Sequence, residues 1–182
     1  YDAQLAQLSA AIQQGKKIIT PFALHAISAN AELQKQAAQI YSQTKYSSAS
    51  TSLPRYQHDK IKLAYFSSDF RHQHPVADLT AQLFECHDRT RFEVIAFSFH
   101  AATVKDATRL KLETVFDQFF DVSAYSDEQI VHLARELEID IAIDLNGYTE
   151  GNRANVFALR VAPIQISYLG FLGTMGADFM DY

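Results

Sequence analysis

Two histidines stand where a parallel α/β sheet binds its ligands, just beyond the end of a strand. His72 and His74 follow the apolar, strand-like run KLAYFSS (62–68), and Pro75 suits the first turn of a helix. A neutral imidazole can accept a proton near physiological pH, so either residue could act as a general base there. The alternative is that each is a surface or structural histidine. A metal site is not favoured, because the His-x-His pair has no third ligand at supporting spacing.

Glycines mark two further turns at predicted strand ends. Five of the six glycines lie between residues 147 and 176, in the segments NGYTEGNR (146–153) and LGFLGTMGADFMDY (169–182). Such turns let backbone amides approach a phosphate closely, although glycines also simply end strands and helices. The spacing is not GxGxxG, and no GxxxxGK[ST] is present, which disfavours nicotinamide, flavin and P-loop enzymes.

Charged residues at the same strand ends allow two interpretations. Arg71 and Arg153 could bind phosphate, but isolated arginines are often ordinary surface charges. Asp144 falls at the end of a predicted buried strand, where a carboxylate is uncommon unless it has a function or is hydrogen-bonded. Hydrogen bonds from the backbone amides of the NGYT turn could stabilise it there.

Apolar runs alternate with amphipathic stretches from residue 60 onward. Strands are expected at 62–68, 92–100, 119–122, 139–146 and 164–170, with helices at 76–87, about 104–117, 126–138 and about 152–160. Ser126 suits the N-cap of the third of these helices. Strands joined through helices predict a mostly parallel, Rossmann-like sheet with helices on both faces.

The N-terminal part has helical patterns only. Residues 3–15 carry apolar residues at helical spacing, and a second helix is expected from Thr20 to about Tyr46, with Asn30 as a point of interruption. The small, polar run 45–54 has the composition of a linker. The predicted division is therefore a helical connector with linker at 1–52 and an α/β body at 53–182.

Composition excludes several classes of function. A length of 182 residues fits one domain rather than two complete nucleotide-binding domains. Net charge is +2 over residues 1–52 and −7 over 53–182 with no basic run, which disfavours nucleic-acid binding. No uncharged apolar stretch is long enough for a membrane span, and no signal peptide is recognisable. The single cysteine, Cys86, excludes an internal disulfide, and we expect a cytoplasmic protein.

Three segments together resemble a known family. SSDFRHQHPVADL (67–79), the block 144–182 and the helical stretch ITPFALHAISANAELQKQAAQIYSQ (19–43) are similar, in this order, to the O-GlcNAc transferase and SPINDLY-like glycosyltransferases, in a bacterial version. The resemblance implies that residues 1–46 are the end of a tetratricopeptide array. It also implies that residues 60–182 are most of the N-terminal, Rossmann-like lobe of a GT-B glycosyltransferase.

The implied activity is an inverting, metal-independent transfer of N-acetylglucosamine from UDP-GlcNAc to a protein Ser or Thr hydroxyl, with no cofactor. The family's histidine in the His-Pro step falls on His74, as proton acceptor or donor-contacting group. Candidate donor-contacting residues lie in the strand-end turns: His72, Asn146, Tyr148, Thr149, Arg153, Gly173 and Thr174. Expected partners are the UDP-sugar, a protein acceptor, a C-terminal catalytic lobe that this chain lacks and a second copy of the chain.

The sequence departs from the family pattern at several points. The turn between SSDF and the His-Pro step is one residue longer than in the animal enzymes, and Val161 and Leu172 stand where relatives commonly carry proline. The second lobe, which holds most UDP-binding residues in this family, is absent, so we expect the isolated chain to be inactive. The alternatives are a non-catalytic α/β binding module and a protein-interaction segment built on residues 1–46.

Overall fold

Five parallel strands form the centre of the fold. The computed structural model describes residues 2–49, 52–101 and 107–182. The strands are β1 Ile61–Ser67, β2 Phe92–Ser98, β3 Gln118–Asp121, β4 Ile141–Asp144 and β5 Ile164–Ser167. Their order is β3-β2-β1-β4-β5, and every neighbouring pair is parallel. The predicted Rossmann-like fold class is confirmed.

Helices precede the sheet and connect its strands. They are α1 Asp2–Gln13, α2 Pro21–His25, α3 Ala31–Lys45, α4 Pro75–Glu85, α5 Ala107–Val115, α6 Asp127–Glu136 and α7 Ala154–Ala158. Ser126 caps α6 as predicted, through a reciprocal capping box with Gln129. Residues 104–106 of the helix predicted at about 104–117 lie outside the described residues. Within the described ranges, none of the helices is long and apolar enough to cross a membrane.

Alternation along the strands divides the core into two layers. Leu63 and Tyr65 of β1 face one layer with α4, whereas Ala64 and Phe66 face the other with α6 and α7. Successive strand side chains point to opposite faces, so a central strand covered on both sides reads as a continuous apolar run. This is the run that the sequence shows at β1.

The second predicted helix is in fact two helices. α2 ends at His25, and α3 begins at Ala31 after an N-cap at Asn30, whose Oδ1 accepts a hydrogen bond from the Leu33 amide at 3.0 Å. The helical stretch predicted from Thr20 to about Tyr46 is therefore interrupted at Asn30, the point of interruption that the sequence suggested. The physical reason is the cap, because an Asn side chain that bonds to the amide three residues later competes with continued helix.

The N-terminal helices pack directly on the α/β body. Ala38 of α3 is fully buried in the layer that contains Phe171 and Met175. A Cβ at Gly176 would lie 2.7 Å from the Gln39 backbone nitrogen, so this close approach requires glycine. The Ala49 amide in the linker also donates to the Ala158 carbonyl at 2.8 Å. The division at residue 52 stays a prediction.

Candidate functional site

The strand order brings the turns after β1 and β4 together. These strands are neighbours at the centre of the sheet, with β2 and β3 to one side and β5 to the other. Chain connections diverge at this point, which leaves a crevice beyond the carboxyl ends of the strands. The candidate site is built from residues 68–74 after β1 and 145–151 after β4.

Asn146 joins the two turns. Its side chain is buried, with Oδ1 accepting from the Ser68 amide at 2.8 Å. Its Nδ2 donates to Asp69 Oδ2 at 2.7 Å and to Ser68 Oγ at 2.9 Å. A buried amide with partners on both of its polar atoms has one stable orientation. Asn146 therefore holds the first βα turn in a fixed place beside the fourth strand.

Thr149 and Gly151 complete the β4 side of this cluster. Thr149 Oγ1 donates to the Asn146 carbonyl at 2.9 Å and lies 3.3 Å from Asn146 Nδ2. Gly151 has a φ of +76°, and a Cβ there would lie 2.8 Å from Ser68 Oγ. Only glycine fits both requirements, so the turn can close over Ser68. The predicted candidates Asn146 and Thr149 thus meet in one cluster.

His74 lies at the exposed edge of the cluster. It is the N-cap of α4, and its side chain is 27% exposed. Its Nε2 lies 3.4 Å from Asp69 Oδ1, and Asp69 is in turn bonded to Asn146. The structure therefore places the histidine predicted at the His-Pro step against Asp69, which links it to the turn after β4 through Asn146.

The side chain of Asp144, at the end of β4, is buried next to the cluster and has one carboxylate oxygen without a hydrogen-bond partner among the described residues. Its Oδ1 accepts from the Asn146 amide at 2.9 Å, as the turn pattern predicted. Its Oδ2 is buried and has no hydrogen-bond partner among the described residues. Burial raises the pKa of this carboxyl to about 6, neighbouring backbone amides partly offset the rise, and the charge of Asp69 adds to it.

Two predicted donor-contacting residues lie apart from the cluster. His72 Nδ1 is 3.2 Å from Thr108 Oγ1 on α5, although it shares a turn with His74. Arg153 donates from Nε to Asp127 Oδ1 at 2.7 Å and from Nη2 to the Tyr125 carbonyl at 2.7 Å. The guanidinium therefore ties the start of α7 to the loop before α6.

The remaining candidates line the other side of the β4 turn. Tyr148 donates from its hydroxyl to the Met175 carbonyl at 2.8 Å, and its ring packs on Tyr41 of α3. Gly173 approaches α2 so closely that a Cβ would overlap the His25 imidazole. Gly173 and Thr174 line a cavity of about 380 Å³ that is separate from the Asn146 cluster.

Ser68 and Asp69 are the site residues that the sequence interpretation did not select. Asp69 is only 3% exposed, and both its oxygens accept hydrogen bonds within the cluster. The signal was present, since polar residues directly after a buried strand in an α/β sheet face the ligand crevice. What the sequence lacked was the contact with Asn146, which lies 77 residues away.

Comparison with known proteins identifies the family. The sequence profile described as "Glycosyl transferase family 41" matches residues 21–182. The chain is 40% identical over 127 residues to the UDP-N-acetylglucosamine--peptide N-acetylglucosaminyltransferase of Caenorhabditis elegans, covering 68% of this chain and 11% of that protein. It is 39% identical over 123 residues to the Arabidopsis thaliana protein named "Probable UDP-N-acetylglucosamine--peptide N-acetylglucosaminyltransferase SEC", covering 68% and 12%.

A solved structure is similar as well. A mutant of the Thermobaculum terrenum O-GlcNAc transferase superposes with a TM-score of 0.79 at 28% identity, covering 89% of this chain and 32% of that chain. The chain thus spans about a tenth of the length of these two curated relatives. The profile match covers both turns of the Asn146 cluster. The chain belongs to glycosyl transferase family 41.

Proposed function

We propose that this chain forms one wall of the catalytic cleft of an inverting glycosyltransferase that moves N-acetylglucosamine from UDP-GlcNAc to a protein Ser or Thr hydroxyl. The observation that carries the proposal is the cluster of His74, Asp69 and Asn146 at the carboxyl ends of β1 and β4. The names of the C. elegans and A. thaliana relatives supply the donor and the peptide acceptor.

The chemistry requires one bond to form as another breaks. The acceptor oxygen bonds to the anomeric carbon from the face opposite UDP, the bond from that carbon to the diphosphate oxygen breaks, and UDP leaves with the electron pair. The hydroxyl proton passes to a base or to water. His74 is the residue of this chain that we assign to contact the reacting groups, because it is partly exposed at the crevice edge.

The assignment of His74 is tested by substitution. In a longer polypeptide that contains this chain and the rest of the region shared by the relatives, His74→Ala should lower UDP-GlcNAc-dependent transfer by about 10²-fold or more, the range for loss of a positioned acid-base group. His132→Ala, which removes an exposed histidine of α6, is the matched control. Unchanged turnover in His74→Ala would remove this residue from the catalytic assignment.

We also propose that transfer is independent of metal ions. In the part of the chain that the structure describes, no group of three or more His, Cys, Asp or Glu side chains is arranged to hold a metal ion. Transfer by the longer polypeptide should persist after chelation with EDTA. Loss of activity that returns with Mg²⁺ or Mn²⁺ would refute this part of the proposal.

We expect the 182-residue chain alone to be inactive. It spans 32% of the T. terrenum enzyme chain, so other segments of such enzymes supply most of their structure. Incubation of the purified chain with labelled UDP-GlcNAc and an acceptor peptide should therefore yield no labelled peptide. Turnover by the chain itself would contradict this expectation.

A non-catalytic binding module is the second candidate function. Leu172 is 86% exposed and Tyr182 is 80% exposed, and both lie at or beside the cavity that contains Gly173 and Thr174. Exposed large apolar side chains favour contact with another protein surface or a second copy of this chain. This candidate would be favoured if the longer polypeptide bound another protein or a second copy of this chain but showed no transfer of N-acetylglucosamine.

We propose a cytoplasmic location for the protein. The thiol of Cys86 is free and exposed, a state that a reducing compartment maintains. Fractionation of cells that express the tagged protein is the test, and recovery from an exported fraction would contradict it.

A further inference from the structure

The Asp69 carboxylate faces the imidazole of His74 from inside the cluster. The two side chains approach at 3.4 Å between Asp69 Oδ1 and His74 Nε2. Arg71 Nη2 also lies 3.8 Å from this oxygen, on a side chain that is half exposed, and the buried Asp144 carboxyl interacts with Asp69 by charge repulsion. Asp69 is therefore the buried carboxyl group that faces the ring, and a carboxylate at this distance favours a proton on the ring nitrogen that faces it.

The opposite edge of the His74 ring has a different partner. Nδ1 accepts a hydrogen bond from the Val76 backbone amide at 3.4 Å, which caps the first turn of α4. A ring nitrogen that accepts a hydrogen bond carries no proton, so the neutral imidazole must have its proton on Nε2. Both contacts thus select the same tautomer.

Asp69 is itself held in place by three hydrogen bonds. Asn146 Nδ2 donates to Oδ2 at 2.7 Å, Ser68 Oγ donates to Oδ1 at 3.0 Å, and the Asp69 amide donates to Ser67 Oγ at 2.9 Å. A carboxylate fixed in this way orients the ring without needing a ligand to do so. The orientation is built by residues from both β1 and β4.

We propose that Asp69 is a positioning residue for His74, which holds the neutral imidazole as the Nε2–H tautomer at the crevice edge. The importance of this contact for transfer rests on the proposed function. A proton taken up by His74 must enter at Nδ1, and its uptake breaks the hydrogen bond from Val76. Proton acceptance by His74 is therefore linked to the first turn of α4, whereas hydrogen-bond donation from Nε2 is not.

The tautomer can be measured on the 182-residue chain by nitrogen-15 NMR of the histidine rings, with the His74 signals identified by their loss in His74→Ala. At a pH where the ring is neutral, we expect the Nε2–H pattern for His74. Asp69→Asn keeps the size of the side chain but replaces one acceptor oxygen with a donor, so the preference for Nε2–H should weaken measurably even though the hydrogen bond from Val76 remains. A general loss of packing would not produce this change at His74 alone.

Asp78→Asn is the matched control, because it removes an exposed carboxylate from the same helix. It should leave the His74 tautomer unchanged. An Nδ1–H or averaged pattern in the wild-type chain overturns the proposal even if Asp69→Asn does not fold, and so does an unchanged pattern in Asp69→Asn. Because the readout needs no sugar transfer, failure of the proposed function would leave this result unaffected.

Discussion

Asp144 carries an energetic cost at the base of the site. Its carboxyl is buried, one oxygen has no partner among the described residues, and the other accepts the amide of Asn146. Burial disfavours the charged form, so the pKa rises from the ordinary 3.8 to about 6. Between pH 3.8 and about pH 6, the Asp144 carboxyl of the folded protein keeps a proton that the same carboxyl has lost in the unfolded chain. The stability linked to this proton is fully present below about pH 4 and is lost as the pH rises through 6.

Asp144→Asn should remove this dependence on pH. The shift of roughly two units corresponds to about 3 kcal/mol at 1.36 kcal/mol per unit. The difference in free energy of unfolding between Asp144→Asn and the wild type should therefore change by about that amount between pH 4 and 7, in favour of the variant at the higher pH. Urea denaturation at both pH values measures it.

A matched variant separates this effect from general loss of charge. Asp78→Asn removes an exposed carboxylate. The difference in free energy of unfolding between this variant and the wild type should change little over the same pH range. If the free energies of unfolding of Asp144→Asn and the wild type differ by the same amount at pH 4 and pH 7, the pKa of this carboxyl is not raised in the folded protein.

Backbone conformation and a backbone hydrogen bond define the turns at two positions where the resemblance predicts a departure from the family pattern. In the first βα turn, which the family resemblance predicts to be one residue longer than in the animal enzymes, Gln73 adopts a left-handed conformation with a φ of 54°. His74 nevertheless caps α4. Val161, where the family resemblance predicts a proline, donates a hydrogen bond from its backbone amide to Gln165 Oε1 at 2.7 Å. A proline could not make this bond, so valine at this position gives the buried Gln165 side chain a partner that proline would not provide.

The break between α2 and α3 depends on Asn30. Its side chain satisfies the Leu33 amide at the start of α3. Asn30→Ala should lower the free energy of unfolding by about 1 kcal/mol, the usual cost of removing an N-cap. Chemical denaturation followed by circular dichroism measures the change.

Asn30→Asp is the control, since aspartate is as good an N-cap as asparagine and should preserve most of the stability. Equal destabilisation by the two substitutions would indicate that the cap does not limit α3.

Large apolar side chains, Leu172 and Tyr182, are exposed beside one cavity of the fold. Tyr182 and Gly173 line the cavity of about 380 Å³, and Leu172 directly precedes Gly173. α3 also borders this cavity, through Gln39. The region therefore combines a concave surface with exposed apolar groups, which are features of protein contact sites.

We expect the purified chain to self-associate through this region. Leu172→Ser should raise the dissociation constant of the dimer at least about tenfold, because burial of a leucine contributes roughly 1.5 kcal/mol or more. Sedimentation analysis over a range of concentrations measures the constant. Leu79→Ser, which alters an exposed leucine of α4, should leave it unchanged. A chain that stays monomeric at high concentration would contradict this expectation.

Local patterns in the sequence predict the class of fold, which the structure confirms, and the strand ends that carry the candidate site. Continuous apolar runs separated by amphipathic stretches predict buried parallel strands joined by helices, and five such strands are present. Polar residues directly after β1 and β4 predict a site at those strand ends, and His74, Asn146 and Thr149 lie there. These properties follow from local periodicity and from the general geometry of α/β sheets.

Which of the strand-end residues come into contact depends on the packing of the whole chain. Arg153 and Tyr148 lie in the same turn region as Asn146, yet they contact Asp127 and Met175 instead. The contact of Asp69 with Asn146 depends on β1 lying beside β4, which joins residues 77 positions apart. Local sequence patterns specify which face of a strand is buried, but strand order and side-chain direction in a turn are set by packing of the whole chain.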